Sequence, residues 1–241
     1  MLRRILRGLA DMAYPKTCLA CKNKLDATAQ DDYICEACRL KIKRNMPPFC
    51  LACGRHLEKV NRNKSHCPGC LKKALSFDRA FSPCLYEGVI KELIHEFKYK
   101  NKSHLGKLLS NIMTEFIKEY DLPINYLDLI IPMPLHKVRL REREFNQAEI
   151  LSRHIAAEFN KEIEPNALIR HRLTKTQTEL PVNKRFVNVK DSFSVAENCD
   201  LKNKNVLLVD DVLTTGATSS EAAYTIKKAG ANIVFVLTLA N

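Results

Sequence analysis

Two adjacent carboxylates, Asp210 and Asp211, stand directly after the apolar run Val206-Leu207-Leu208-Val209, and a hydroxyl-rich segment, Thr214-Thr215-Gly216-Ala217-Thr218, follows them. Carboxylates accept from sugar hydroxyls or help hold a hard cation, and a turn at a helix start offers amide N–H groups to a phosphate. Gly216 permits positive φ or a close backbone approach. Eight of the ten cysteines form a second constellation, Cys18/Cys21, Cys35/Cys38, Cys50/Cys53 and Cys67/Cys70. Each Cys-x-x-Cys puts two thiolates on one knuckle, and two knuckles complete a tetrahedral sulfur site for which zinc is the default, with an iron–sulfur centre as the alternative. A third set is basic. His136, Lys137, Arg139, Arg141 and Arg143 follow Pro132-Met133-Pro134, and Lys98 sits in Phe97-Lys98-Tyr99-Lys100. Arginine forks there suit an anion such as pyrophosphate, although Glu142 and Glu144 alternate with the arginines and suit a solvated charge run equally.

The elements that position these groups are legible from periodicity. Val206–Val209 is too short for a buried helix and reads as a central parallel strand, and a helix follows from about Ser219 to Ala229. Leu127–Ile131 is a second buried strand, stopped by proline, and Ile233–Leu237 a last one. Val89–Phe97, Leu105–Tyr120 and Ala148–Phe159 read as helices, the second with Leu105, Leu108, Leu109, Ile112, Met113 and Phe116 on one face. Phe97–Lys100 then reads as an exposed basic elbow, and Leu135–Gln147 as a basic loop. Strand, turn, helix is the arrangement in which open α/β sheets hold ligands.

The cysteine pairs are an internal repeat. The second set is the first displaced by 32 positions, and Cys18–Leu25 matches Cys50–Leu57 at five of eight positions. One metal per repeat and an interleaved pairing both give two metals, and spacing does not choose between them. His66 is left out because four sulfurs are already present, and Cys84 and Cys199 read as buried small apolar residues. Cysteines grouped for metal, with no export signal in Met1–Met12, point to a reducing cytosol. That first segment, with Leu2, Ile5, Leu6 and Leu9 at helical spacing, reads as a helix packed on its own protein. No apolar window approaches eighteen residues, which excludes a transmembrane helix. The chain carries a formal charge of +12, with 17 basic and 7 acidic residues in residues 1–80 against 22 and 20 in residues 81–241. The excess lies on the cysteine module, at Arg39–Arg44 and Lys59–Lys64, and points to contact with nucleic-acid phosphates. Length and texture divide the chain into a zinc-binding module of two four-cysteine sites with its N-terminal helix (1–80) and an α/β domain with a mostly parallel sheet (81–241).

The segment Val206–Thr218 resembles the phosphoribosyl-pyrophosphate (PRPP) motif of type I phosphoribosyltransferases. That resemblance implies Asp210 and Asp211 facing the ribose hydroxyls, and Thr214, Thr215, Gly216, Ala217 and Thr218 cradling the 5′-phosphate. Ile131–His136, Arg139–Arg143, Phe145-Asn146-Gln147-Ala148, Thr176-Gln177, Leu180, Arg185, Asn188-Val189 and Phe193 are similar to the signature blocks of the ComF competence-protein family. The cysteine module and Phe97-Lys98-Tyr99 fit as well, so the resemblance spans essentially the whole chain. Glu144 stands where the family usually has glycine, and Pro181 where it has serine. The resemblance implies a type I phosphoribosyltransferase fold, Mg²⁺ bound with PRPP, two structural zinc ions, and a mobile hood over Arg170–Asn188 with short strands at Val187–Val189 and Phe193–Val195. It implies natural transformation as the setting, with single-stranded DNA, a competence DNA helicase as partner, and a cytoplasmic protein working at the inner face of the membrane. If catalytic, Asp210, Asp211, Lys98 and Arg143 carry the reaction: a nitrogenous acceptor attacks C1 of PRPP and pyrophosphate leaves. A nucleobase-salvage phosphoribosyltransferase and a non-catalytic PRPP-responsive assembly protein are the competing functions.

Overall fold

Val206, Leu207, Leu208 and Val209 are buried because both faces of their strand are covered. The computed structural model describes residues 16–25, 33–58, 65–99, 102–174, 181 and 184–241. The expected helix over residues 1–12, the basic residues 59–64, Lys100, and Thr176, Gln177 and Leu180 lie outside these. In chain order the elements are α1 (Glu36–Arg39), α2 (Pro68–Leu71), β1 (Arg79–Phe81), α3 (Gly88–Tyr99), α4 (Leu105–Glu119), β2 (Leu129–Pro132), α5 (Lys137–Arg143) and α6 (Gln147–Phe159). They continue as β3 (Glu162–Ile163), β4 (Leu168–Arg170), α7 (Arg185–Val189), β5 (Phe193–Val195), β6 (Asn205–Val212), α8 (Ala217–Lys228) and β7 (Ile233–Ala240).

Five strands form one parallel sheet in the order β1-β7-β6-β2-β3, and β4 pairs with β5 in an antiparallel ribbon. β1 straddles the expected division at residue 80. From β2 the chain moves outward to β3, and from β6 it moves outward the other way to β7. The crevice between the C-terminal ends of β2 and β6 is therefore the topological switch point, where ligands of open α/β sheets bind.

The pleat of β6 sends alternate side chains to opposite faces. Leu207 and Val209 join the apolar cluster formed with α3, α4 and α6, whereas Val206 and Leu208 join the one formed with α8, β4 and β5. Asp211 thereby continues toward the α3 face and Asp210 toward the β4 face. No helix among the described residues is long and apolar enough to cross a membrane.

Three sequence expectations change. Phe97-Lys98-Tyr99 is not an exposed elbow but the last turn of α3, with Phe97 fully buried. The basic segment after Pro134 contains a short helix, α5, rather than loop alone. Val187–Val189 is not a strand of the hood but part of α7; the partner of β5 is β4. The first arises because Phe97, an apolar residue inside a basic run, anchors the end of α3 in the core, and the second because His136 caps α5 by accepting from Val138 N–H at 3.2 Å; a charge count registers neither. Pro132 closes β2 without loss because the next ladder bond comes from Met133 N–H to Val209 O at 2.8 Å.

The cysteine repeat is a repeat in three dimensions. The bridge Thr17–Lys24 recurs as Phe49–His56, and Cys18 N–H to Asn23 O (2.8 Å) recurs as Cys50 N–H to Arg55 O (2.8 Å). Helix α1 recurs as α2 at the same displacement. Lys22 and Gly54 are equivalent and both have positive φ, +65° and +68°. Only the second copy demands glycine: a Cβ at Gly54 would stand 2.3 Å from the carbonyl oxygen of Ala80.

Candidate functional site

The turn after β6 fixes the site. Gly216 has φ +77° and caps α8, whose first-turn amides have no intrahelical acceptor. Ala217, Ser219 and Ser220 are buried, so the helix start is held against the core and its dipole points outward. The hydroxyl of Thr215 is buried with no hydrogen-bond partner among the described residues. An unpaired buried hydroxyl beside free amides is a ready donor set for an oxyanion.

This turn forms one wall of a 430 Å³ cavity at the switch point. Asp210 and Asp211 line it, together with Lys98 from α3, Arg139 and Arg143 from α5, and Arg170 from β4. The pleat turns Asp211 toward Lys98. Lys98 Nζ lies 2.8 Å from Asp211 Oδ2, with the two side chains only 17% and 13% exposed. Burial pulls the Lys98 ammonium down, but Asp211, its hydrogen bond and Asp210 outweigh that and hold it above its ordinary value. Asp210 is pushed up to about 7, first by burial and then by the charge on Asp211, while the Asp211 N–H, Lys98 and Arg170 pull the other way. Arg170 is in turn lowered by burial and sustained by Asp210.

Residues of the Phe145–Ala148 block build the opposite wall rather than face the cavity. Asn146 caps α6 by accepting from Ala148 N–H (3.1 Å), and its Nδ2 donates to Met133 O (3.1 Å), tying the helix to the end of β2. Gln147 is buried; it accepts from Arg143 Nη1 (3.2 Å) and donates to Phe97 O (3.4 Å). Arg143 also lies over the Tyr99 ring at 5.2 Å, and its Nε has no partner among the described residues. The turn between α5 and α6 forms with Glu144 at φ +64°, so a side chain occupies the left-handed conformation for which glycine is the easier choice.

Of the sequence-predicted residues, Asp210, Asp211, Lys98, Arg143, Thr214, Gly216, Ala217 and Thr218 line the cavity, whereas Thr215 does not. Arg170, His95 and Thr174 line it too and were not singled out. The available signal for Arg170 was a lone basic residue ending the apolar run Ala167-Leu168-Ile169.

The metal-type constellation is separate. Cys18, Cys21, Cys35 and Cys38 bring their sulfurs within 4.8 Å of one another, as do Cys50, Cys53, Cys67 and Cys70. Pairing is therefore sequential, one cluster per repeat. Four sulfurs at 2.3 Å from a central zinc stand about 3.8 Å apart at tetrahedral corners; Cys21 and Cys35 are at 3.8 Å and Cys53 and Cys67 at 3.7 Å. Without a cation such a set cannot ionise together. Burial and neighbouring thiols push Cys38 up to about 12, while contacts with Cys50 push Cys53 up to about 12. A divalent cation removes that conflict, so the donors fit zinc. Cys84 is buried and raised by burial to about 11, whereas Cys199 is only partly buried.

The described part of the basic run is largely neutralised. Arg39 meets Glu36 (3.7 Å), Lys43 meets Glu87 (2.7 Å) and Arg44 meets Glu115 (3.4 Å).

Comparison with known proteins agrees with this two-part picture. The double zinc ribbon domain family matches residues 9–71. The chain is 29% identical to competence protein F of Haemophilus influenzae over 226 residues, covering 92% of this chain and 96% of that protein. It is 28% identical to the DNA utilization protein YhgH of Escherichia coli K12 over 207 residues, 84% of this chain and 88% of that one. Glutamine PRPP amidotransferase from B. subtilis overlaps 58% of this chain and 26% of its own at 19% identity, with a TM-score of 0.35 too low to bear on function. Full-length similarity to the competence proteins, joined to a double zinc ribbon and a parallel α/β sheet, makes this chain a member of the ComF competence-protein family.

Proposed function

We propose that the switch-point cavity binds PRPP with Mg²⁺. One observation carries this reading: a carboxylate pair and a phosphate-type turn share a cavity whose other wall is cationic, at Lys98, Arg139, Arg143 and Arg170. The 5′-phosphate takes the Thr214–Thr218 turn and the ribose hydroxyls donate to Asp210 and Asp211. The pyrophosphate takes Lys98 and Arg143, and Asp210 and Asp211 would help hold Mg²⁺, partly through water, where it would offset the negative charge of the phosphates. In transfer to a nitrogenous acceptor, Asp211 stabilises positive charge developing at C1 and the cations neutralise departing pyrophosphate. Binding without turnover uses the same contacts, and pyrophosphate release with candidate bases separates the two. We read residues 1–80 as the zinc module and 81–241 as the phosphoribosyltransferase-type domain.

Calorimetry of PRPP with Mg²⁺ tests the assignment, and no heat at millimolar ligand sinks it. The pH dependence is specific. Asp210 is raised from 3.8 to about 7, so between those values the folded protein keeps a proton that the unfolded chain has lost. The group therefore costs stability increasingly as pH rises through that window, and a ligand that donates to the carboxylate must displace the proton. PRPP affinity is expected to rise about tenfold between about pH 6 and about pH 8, and Asp210→Asn to flatten that rise.

A second reading adds single-stranded DNA, favoured by the charge excess on residues 1–80 and by the name DNA utilization protein borne by a relative. It sets the protein at the cytoplasmic side of DNA uptake with a helicase partner. Because β1 begins at Arg79 and the cysteine module shares the core, charge substitutions test this better than truncation. Replacing Lys41, Lys59 and Lys64 with Gln is expected to lower the slope of log affinity against log salt by about 2. An unchanged slope removes the module from the DNA contact.

A further inference from the structure

The two cysteine clusters are copies, but they are docked differently. The first packs on α3 and α4: Lys22 pairs with Glu96 at 2.7 Å, and Tyr33 stacks on His104 at 4.5 Å. The second packs on the phosphate-type turn. Arg55, two residues beyond Cys53, donates from Nη2 to the carbonyl of Thr214 at 3.3 Å. The chain leaving the cluster passes directly beneath the turn. Ser76 N–H donates to Ser220 Oγ on α8 at 2.9 Å. A Cβ placed on Gly216 would come within 3.4 Å of Leu75 and 3.5 Å of Phe77. Lys73 lies 5.0 Å over the ring of Phe186 on α7. Ala80 N–H bonds Ala52 O at 2.7 Å, so β1 ties the same knuckle to the sheet.

We propose that the second cysteine cluster is a positioning device for the Thr214–Thr218 turn, acting through Arg55 and the Leu75–Phe77 floor. Metal occupancy of that cluster then sets the ligand affinity of the turn. The physical route is short. The knuckle loop Cys50–Arg55 has little apolar core of its own, so the orientation of Arg55 depends on the sulfur cluster that closes the loop. The carbonyl of Thr214 belongs to the same peptide unit as the Thr215 N–H, and the buried hydroxyl of Thr215 has no partner among the described residues. An arginine on that carbonyl fixes the orientation of the peptide plane, and with it the amide that follows. Copying the knuckle gave the second cluster a task the first cannot share, since Asn23 stands where the repeat has Arg55.

The inference rests on the turn being a ligand site, so its test separates the two. Zinc content, hydrogen exchange at the amides of residues 213–220, and PRPP affinity are measured on the full zinc-loaded chain and its variants. Arg55→Ala is expected to keep both zincs, speed exchange at the turn and weaken PRPP binding, each by about threefold to tenfold, the scale of one hydrogen bond. Arg55→Lys recovers part of both. Cys67→Ser, which opens the second cluster, is expected to exceed Arg55→Ala at the turn. Cys21→Ser, which opens the first, is expected to leave exchange there within about twofold. Unchanged exchange at the turn in Arg55→Ala overturns the proposal, as does an equal rise in Cys21→Ser. Exchange needs no ligand, so a wild-type chain that fails to bind PRPP sinks the ligand assignment while the positioning result stands or falls separately.

Discussion

Lys98→Ala is expected to destabilise the protein by about 3–5 kcal/mol, far more than a surface lysine warrants. Lys98 sits 2.8 Å from Asp211, both side chains nearly buried. Its removal leaves two consecutive carboxylates in a cavity with Asp211 stripped of the cation that compensates it. Neither can retreat to solvent, because the strand carrying them is hydrogen-bonded on both sides, with Asp210 paired to Thr238. Urea unfolding at neutral pH measures the loss. Its pH dependence identifies the cause. Lys98 is raised above its ordinary 10.5, so its contribution is fully present below that value and fades as pH rises through the folded value. On the acid side, protonation of Asp210, raised to about 7, should shrink the gap between variant and wild type. Lys98→Met combined with Asp211→Leu is expected to recover much of the stability, since a buried pair replaced by apolar side chains is often neutral. A loss under about 1 kcal/mol in Lys98→Ala would mean the pair is solvated.

The same pair shows where sequence reading succeeds and where it stops. β6, α4, α6 and β7 were legible because each is dominated by one periodicity, and Val206–Val209 carries no competing signal. The acidic pair and the threonine turn were legible because they lie within one local strand-turn-helix unit. Lys98 was named as a site residue but read as standing on an exposed elbow. Its inward course depends on Phe97 anchoring the end of α3 and on Gln147, fifty residues away, bonding the Phe97 carbonyl. Arg170 was read only as the start of the hood and not as a site residue for a similar reason: the pairing of β4 with β5 brings it over the crevice. Sequential metal pairing was also out of reach. Both pairings satisfy the same spacings, and only the fold of each knuckle onto its neighbour, fixed by bridges such as Thr17–Lys24, decides. The ion pairs of the basic run were out of reach as well, since Glu87 and Glu115, distant in sequence, pair with Lys43 and Arg44.

Chelation of the metal should produce the largest change of all. A structural zinc in a small four-cysteine module contributes on the order of 10 kcal/mol to folding, comparable to the whole stability of a domain. Here the loss does not stay within the module. Cys18, Leu19, Leu25, Ile34 and Cys38 belong to the same apolar cluster as Ile90, Leu93, Ile94 and Phe97 of α3. Opening the first cluster therefore uncovers the helix that carries Lys98, and opening the second removes the floor beneath Gly216. A chromophoric chelator is expected to titrate two zincs per chain. The far-UV signal of the sheet and long helices should persist, because within the described residues the module contributes only α1 and α2. Dye binding to exposed apolar surface should rise, and the melting temperature should fall by more than about 10 °C, the scale that a loss of several kcal/mol produces in a chain of this size. The two clusters should fail differently. Cys18→Ser is expected to act chiefly on stability and Cys67→Ser chiefly on the ligand site, because one copy of the repeat covers the core and the other supports the crevice. An unchanged melting temperature after verified zinc release would show that the knuckles hold without metal.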